Sequence, residues 1–450
     1  MQSVEQALAA LGRVESHAAA DARLAWEALT AGEGPEALTQ WRLQQYCWEE
    51  LPATWLPERV DPAQVGRAGG HLRVAQALAA LLDALGLERY AAIAAGPTTE
   101  SVIAAYELSP ERGRALARRA AQRSGIEPPS TELLTWGAVM GPAEGYALEA
   151  AADTLELAVA AGELLPGGRG WRDRQAEITV TLLSGPRREL GGQTPYQRIL
   201  DERLGRWVRG ARSTTRGALL APLAARLADP VEPPAGRAVR HILRAPHWLL
   251  AEVGDGLALT AAGYLPPRTV GRALDELGWR EVLIGPATRE VDAYPVLVLR
   301  ETATRLGLIR RRGARLLLTP TGRSCSADPG ALWTAVAGGL VGPEHSALAV
   351  TWEVVLAVLE TGDTVPETEV RDLVQAVVTE SGWRVAGHGR SAESDTAPLF
   401  CAVLRELRWL ELVEESGTLA ERTLHARSGA ADLFRAALRH RVLHRDVVVE

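Results

Sequence analysis

The sequence contains no lysine and no asparagine, so all 49 of its basic side chains are arginine. Schiff-base and pyridoxal enzymes, P-loop proteins and protein kinases all depend on a lysine amine. Arginine cannot replace that amine as a nucleophile or base, because it does not readily release its proton. The composition therefore argues against all of these enzyme classes. The lack of asparagine also excludes a Cys-His-Asn protease and Asn-linked glycosylation.

Cysteine is scarce as well, and Cys47, Cys325 and Cys401 are widely spaced along the chain. An odd, scattered set of thiols is not a disulfide framework and fits a reducing compartment. No run reaches the ~18 apolar residues of a membrane span. The first residues lack the basic region and apolar core of a signal peptide. We therefore expect a cytoplasmic protein that has no membrane partner.

Charge is distributed unevenly over the 450 residues, 47% of which are hydrophobic, as in a globular protein. The net charges are −10 for 1–165, +5 for 166–236, +6 for 237–325 and −8 for 326–450. An acidic protein with a basic middle can still attract an anionic partner, because local patches set the field.

The punctuation of the chain predicts a mainly α protein with small β wings, built from four parts. These are an acidic all-helical domain at 1–165, an arginine-rich helical connector at 166–236 and two tandem winged-helix-like domains at 237–330 and 331–450. In the first part, a helix is expected from Pro35 to just before Pro52, and another from its N-cap Ser109 to Ser124.

The connector contains an arginine-rich stretch at 198–216 that we interpret as one helix. Its basic residues are Arg198, Arg203, Arg206, Arg209, Arg212 and Arg216. Such a run forms either a solvated helical face or an extension of a nucleic-acid footprint.

The strongest pattern is an internal repeat at an offset of 104 residues. The matching residues of the two copies are Gly278-Trp279-Arg280 with Gly382-Trp383-Arg384, Leu306-Gly307-Leu308-Ile309 with Leu410-Glu411-Leu412-Val413, and Gly313, Thr319 and Arg323 with Gly417, Thr423 and Arg427. The register is expected to hold without a gap from Val270 and Val374 onward. We therefore predict a duplicated domain.

The first copy has the element order of a winged helix. The predicted elements are a helix at 239–253, a strand at 257–260, helices at 266–278 and 295–306, and a hairpin at 308–319 around Gly313. Helix, strand, two helices and a two-stranded wing make up the winged-helix variant of the helix-turn-helix.

Three segments of this region also carry a resemblance. They are Val253-Gly254-Asp255-Gly256-Leu257-Ala258-Leu259-Thr260-Ala261-Ala262-Gly263-Tyr264-Leu265, residues 306–323, and Asp328-Pro329-Gly330-Ala331-Leu332-Trp333. Over about a fifth of the chain, this region resembles the C-terminal part of a group of uncharacterised actinobacterial proteins, some of which carry a plasmid open-reading-frame-three-like domain. The resemblance implies the fold and no activity.

Charge distinguishes the two predicted wings. The first wing and the helix before it supply the candidate phosphate contacts Arg300, Arg305, Arg310, Arg311, Arg312 and Arg315. The second wing has Glu414-Glu415-Ser416-Gly417-Thr418-Leu419 at the matching positions, and its carboxylates would repel a duplex. The predicted third helix has no Asn or Gln that could recognise adenine, so no base-reading residue is expected.

We expect a non-enzymatic protein of regulatory type whose first winged helix contacts nucleic-acid phosphates. The alternative is a protein–protein interaction scaffold whose basic middle meets an acidic protein partner or the chain's own acidic segments. Catalysis stays open as a third interpretation and would need a pocket that gathers His and carboxylates from distant segments.

No cofactor and no metal are expected. His440 and His444 lie four residues apart, as in many zinc sites, with Asp446 as the nearest further ligand, but a surface helix with incidental histidines is the favoured interpretation. Cys325 follows Arg323-Ser324, and a neighbouring arginine can lower a thiol pKa. Without a placed histidine, we interpret this cysteine as structural.

Overall fold

The computed structural model of the chain describes residues 3–31, 34–35, 38–55, 70–209, 213–283, 285, 287–342, 346–383, 396–418 and 421–444. It is 68% helix and 5% strand and contains two small three-stranded sheets. The expectation of a mainly helical protein with small β elements is confirmed.

The chain forms two compact units. Unit 1 contains Met1–Leu133 and Pro142–Tyr196, and unit 2 contains Leu134–Gly141 and Gln197–Glu450. The finer division into four parts stays a prediction. Within the described ranges, every helix is too short or too polar to cross a bilayer.

In its described residues, the regular elements of unit 1 are all helical. Its elements are α1 (Val4–Val14), α2 (Ser16–Thr30), α3 (Gln40–Gln45), a π-helix (Tyr46–Trp55), α4 (Gly70–Ala84), α5 (Glu88–Ala94), α6 (Pro97–Leu108), α7 (Pro110–Ser124), α8 (Pro142–Ala160), α9 (Trp171–Ser184) and a 3-10 turn (Arg188–Leu190).

Helix α7 begins and ends where its capping residues predict. The Ser109 hydroxyl accepts the Arg112 N–H at 3.2 Å, Pro110 occupies the first helical position, and Gly125 ends the helix with φ +83°. The prediction of a helix from Pro35 to just before Pro52 is wrong. Helix α3 begins at Gln40, and the helical chain continues through Pro52 as a π-helix. The wider π-helical turn relieves the clash of a proline ring with the preceding turn.

Trp41 and Trp48 lie seven residues apart, a spacing that predicts one helical face, but they pack in two different hydrophobic clusters. Trp48 is buried in the main core of unit 1, and its indole N–H donates to the Thr99 hydroxyl at 2.8 Å. Trp41 is half-buried and packs against a smaller cluster around Ile126 and Leu155. The change from α- to π-helix between the two residues rotates one ring away from the other.

Unit 2 begins in the first turn of a helix and contains both sheets. Its elements are α10 (Pro195–Arg209), α11 (Thr214–Ala228), α12 (Gly236–Ile242), α13 (Arg244–Val253), β1 (Leu257–Ala258), α14 (Pro267–Glu276), a 3-10 turn (Arg280–Val282), α15 (Tyr294–Arg305), β2 (Ile309–Arg312), β3 (Arg315–Leu318), α16 (Pro320–Ala327), α17 (Pro329–Leu340), α18 (Ala347–Leu359), β4 (Val365–Pro366), α19 (Glu367–Glu380), α20 (Ala397–Trp409), β5 (Val413–Ser416), β6 (Thr423–Ala426) and α21 (Ala430–Leu443).

The order helix, strand, helix, helix and hairpin occurs twice in unit 2, from α13 to β3 and from α18 to β6. Both sheets are antiparallel, and in each the last strand lies in the middle, with orders β1-β3-β2 and β4-β6-β5. In the first copy, Val296, Leu299 and Ala303 of α15 are buried, as its apolar spacing predicts.

The 104-residue register holds only in part of the repeat. It relates the ends of α14 and α19, the ends of α15 and α20, and strands β2 and β5, but β3 begins at Arg315 and β6 at Thr423, 108 residues apart. The prediction of a register without a gap is therefore wrong, because the second hairpin connection is four residues longer. Thr319 caps α16, whereas Thr423 starts a strand. Arg384 lies outside the described residues.

The helix predicted at 239–253 is interrupted at Leu243, which has φ −104° and ψ 39°. Pro246 lies in the first turn of α13, and its ring would clash with the carbonyl of Ile242 in a continuous helix. The strand predicted at 257–260 is shorter than expected and contains Leu257 and Ala258.

The arginine-rich stretch at 198–216 is also two helices instead of one. Helix α10 ends at Arg209, and α11 starts after Ser213, whose hydroxyl accepts the Arg216 N–H at 3.0 Å. Arg212 lies outside the described residues. Arg203 and Arg216 are buried, at 7% exposure each, so these two members of the run are not on a solvated face.

A buried carboxylate explains the position of Arg216. Glu353 on α18 is 2.5 Å from the Arg216 guanidinium and 3.1 Å from that of Arg441 on α21, and all three side chains are 8% exposed or less. The two guanidinium groups also donate to the carbonyl oxygens of Trp207 and Gly342 at 2.8 and 2.7 Å. The triad therefore joins α11, α18 and α21 around one negative charge.

Replacing Glu353 by Ala removes the carboxylate that contacts two buried guanidinium groups. We predict that Glu353→Ala lowers the free energy of unfolding by about 3–5 kcal/mol, measured by chemical denaturation. The matched control is Glu369→Ala on α19, an exposed glutamate, which should change stability by at most about 0.5 kcal/mol. Equal effects of the two substitutions would contradict the structural role of the triad.

Candidate nucleic-acid interface

The hairpin formed by β2 and β3 presents four of the six predicted phosphate-binding arginines. Arg310, Arg311 and Arg312 on β2 and Arg315 on β3 are all exposed. Arg312 lies directly opposite Arg315 in the antiparallel register. Since side chains alternate along a strand, Arg310, Arg312 and Arg315 share one face of the hairpin and Arg311 lies on the other. Gly313 makes the turn possible with φ +60°.

These four arginines have no carboxylate within ion-pair distance in the part of the chain that the structure describes. Arg311 donates to the Gly313 carbonyl and Arg315 to the Gly256 carbonyl, both at 3.0 Å. Like charges that face each other across two strands destabilise a hairpin. A bound anion would relieve this repulsion, so the hairpin is chemically suited to phosphate groups.

Arg300, the fifth predicted residue, is bound inside the first copy. Its guanidinium is 2.6 Å from Glu290, which is fully buried, and donates to the Gly263 carbonyl at 3.1 Å. Glu290 also accepts the Leu265 N–H at 2.7 Å. Burial raises the pKa of Glu290, and the Leu265 N–H and the Arg300 guanidinium counteract this rise. Arg300 therefore holds the loop before α14 in place and is only 18% exposed.

Arg305, the sixth, is bound to the second copy. Its guanidinium is 2.6 Å from Glu406 on α20, donates to the Gly339 carbonyl at 2.6 Å and lies over the Trp352 ring. The structure thus brings the four hairpin arginines together and holds Arg300 and Arg305 each in an ion pair. Glu406 lies 101 residues from Arg305, and no local pattern could have identified it.

Arg305 belongs to a contact in which the third helices of the two copies pack against each other. The Thr302 hydroxyl on α15 donates to Glu406 on α20 at 3.2 Å, and Arg405 donates to the Tyr294 hydroxyl at 2.8 Å. Thr302 and Glu406 are 104 residues apart, so they occupy equivalent positions of the two copies.

The second hairpin neutralises its own acidic residues. Glu415 contacts Arg408 and Arg422, and Glu414 is 3.2 Å from His425 and 3.5 Å from Arg427. Leu419 lies outside the described residues. In the described chain, the carboxylates of the second hairpin are therefore paired with basic side chains, whereas the four arginines of the first hairpin have no carboxylate partner.

Glu411 connects the two copies in a strained conformation. It has φ +60°, where the equivalent Gly307 of the first copy has φ +68°. Its carboxylate, 8% exposed, is 2.5 Å from Arg244, 3.4 Å from Arg427 and 3.2 Å from the Trp279 indole nitrogen. A non-glycine residue adopts a positive φ only where its surroundings hold it there. The three contacts supply that constraint.

Catalytic alternatives find little support in the described residues. Burial raises the pKa of the Cys47 thiol to about 12, and burial and the Asp328 carboxylate raise the pKa of Cys325. His440 and His444 stack at 4.2 Å, and the His444 ring nitrogen lies 3.2 Å from the Thr135 hydroxyl. Asp446 lies outside the described residues. Within them, no three His, Cys, Asp or Glu side chains form a metal-binding group.

Comparison of the chain with models of known families, with curated proteins and with solved structures finds no match.

The contacts of Glu411 lead to a test of the connection between the copies. We predict that Glu411→Ala lowers the free energy of unfolding by about 1–3 kcal/mol, less than a fully buried pair because Arg244 is 42% exposed. Glu411→Gly should cost less than Glu411→Ala, since glycine adopts a positive φ without strain. Urea denaturation measures both, with Glu414→Ala, an exposed glutamate of the same region, as the control. If Glu411→Ala is no more destabilising than the control, Glu411 does not connect the copies.

Proposed function

We propose that residues 237–330 and 331–450 are two tandem winged helices, and that the protein is a non-enzymatic protein of regulatory type that contacts the nucleic-acid backbone through its first wing. The element order and the position of the last strand between the other two support the winged-helix assignment. In this proposal, α15 and α20 are the third helices and the β2–β3 and β5–β6 hairpins are the wings.

The observation that carries the functional proposal is the set of four exposed hairpin arginines without carboxylate partners in the described chain. Arg312 and Arg315 face each other across the strands, and Arg310 lies on the same face. Guanidinium groups bind phosphate oxygens through charge-assisted hydrogen bonds. A hairpin of this kind follows the backbone of a duplex without recognising its sequence.

The mode of binding in this proposal differs from the common one, in which the third helix enters the major groove. Helix α15 packs against α20, and its arginines Arg300 and Arg305 are in ion pairs with Glu290 and Glu406. Neither arginine is therefore part of the proposed contact. Binding by the wing alone is expected to be independent of sequence and strongly dependent on salt.

The same packing favours a second candidate function, a protein–protein interaction scaffold. Helices α15 and α20 meet within this chain, and this contact supports a role in pairing between domains. In that case the hairpin arginines would meet an acidic protein surface instead of phosphates. The two functions differ in whether naked duplex DNA binds.

A salt titration of binding to a generic DNA duplex tests the proposal. We predict that log Kd rises linearly with log[salt] for the wild type. For Arg310→Ala/Arg312→Ala/Arg315→Ala, the slope should be shallower by roughly 0.9 for each phosphate contact that is lost. Fluorescence anisotropy with a labelled duplex measures both slopes.

The control is Arg112→Ala/Arg114→Ala/Arg118→Ala on α7, which removes the same number of exposed positive charges. It should leave the slope unchanged. An equal loss in both triple variants would mean that net charge and not the wing determines binding. Absence of binding by the wild type at low salt would overturn the nucleic-acid proposal in favour of the scaffold.

A further inference from the structure

Unit 1 contains a cavity of about 560 Å³ that the proposed function does not use. It lies between the α3/π-helix segment, α5, the start of α6 and the end of α7. Its apolar part is formed by Trp48, Ile93, Leu116 and Ala120. A volume of this size matches the lower range of small-molecule sites, which are largely apolar with a few directed polar groups.

One end of the cavity is positively charged. Arg119 and Arg123 line it from one face of α7, four residues apart. Neither arginine has a carboxylate at ion-pair distance in the described ranges, and no carboxylate belongs to the described lining of the cavity. An anionic group at this end would therefore meet two guanidinium groups, and Glu100 in the first turn of α6 lies outside the lining.

The first turn of α6 lies at the same cavity. Gly96 is the N-cap of this twelve-residue helix and provides no side-chain hydrogen bond, and Gly96, Pro97 and Thr98 all line the cavity. Uncapped N–H groups and the helix dipole at such an end favour a negative charge. This feature adds to the arginines.

We propose that this cavity of unit 1 binds a small organic anion that has an apolar ring body. Arg119, Arg123 and the start of α6 hold the anionic group, and Trp48 and Ile93 contact the ring body. The proposal rests on unit 1 alone and is independent of the proposed wing contact.

The probe 8-anilinonaphthalene-1-sulfonate has both features, a sulfonate and an apolar body of two ring systems. N-phenyl-1-naphthylamine has the same body and N–H but no charge. We predict that the full-length protein binds one molecule of the sulfonate probe per chain, followed by the rise in its fluorescence. The uncharged probe should bind at least about tenfold more weakly because it cannot use the charge-assisted hydrogen bonds.

Two sets of variants separate the charged end from the cavity itself. Arg119→Ala/Arg123→Ala should weaken the sulfonate probe about tenfold or more and the uncharged probe less than about twofold. Ser101→Trp fills the cavity from an exposed position of α6 and should abolish binding of both probes, whereas Ala104→Trp, exposed on the same helix, should leave both unchanged. Thr98→Phe fills the cavity from the start of α6 and replaces Ser101→Trp if that variant does not fold.

Sulfonate binding that survives both Ser101→Trp and Thr98→Phe would place the probe elsewhere and overturn the proposal. Equal weakening of the two probes by Arg119→Ala/Arg123→Ala would show that these arginines do not bind the sulfonate, and it would contradict the ligand class. The arginine variant should show wild-type affinity for duplex DNA, so failure here is distinguishable from failure of the wing contact.

Discussion

Four buried or half-buried carboxylates of the acidic C-terminal part determine how unit 2 is built. Glu353, Glu360, Glu406 and Glu411 each lie within 2.7 Å of a guanidinium of the basic middle, from Arg216, Arg226, Arg305 and Arg244 respectively. Removing a buried carboxylate from water is unfavourable unless a matched cation and further hydrogen bonds replace the water. Because the chain has no lysine, each partner is a planar, permanently charged guanidinium with several donors, which suits such sites.

This pairing joins the basic middle to the acidic C-terminal part. Within unit 2, carboxylates after residue 325 are paired with Arg216, Arg226, Arg244 and Arg305, so the net charge of a segment does not measure what it offers to a partner. What stays exposed without a carboxylate partner in the described part of unit 2 includes the hairpin of Arg310, Arg312 and Arg315. The packing of α15 on α20 also limits what unit 2 offers to DNA, because it covers helix faces that DNA would otherwise contact.

Local signals in the sequence predicted part of the local structure. Ser109 and Pro110 mark the start of α7, and the apolar spacing of Val296, Leu299 and Ala303 identifies α15, but the breaks within the helices expected at 198–216 and 239–253 were missed. Long-range pairing could not be predicted, since nothing near Arg216 or Arg305 indicates Glu353 or Glu406. The longer second hairpin was missed because Thr319 and Thr423 match in sequence but not in position. The cavity at Trp48 and Arg119 was missed for a similar reason, as its residues come from four helical segments.

Hydrogen–deuterium exchange with and without a generic DNA duplex tests the central claim most directly, because it locates the contact within unit 2. If the first hairpin contacts DNA, the duplex slows amide exchange in residues 309–318 and leaves exchange in α15, α20 and residues 413–426 unchanged. Slower exchange within α15 would contradict this claim, since that helix would then leave α20 and enter the groove. Protection confined to residues 413–426 would contradict it as well, because the contact would then lie in the hairpin whose carboxylates are already paired.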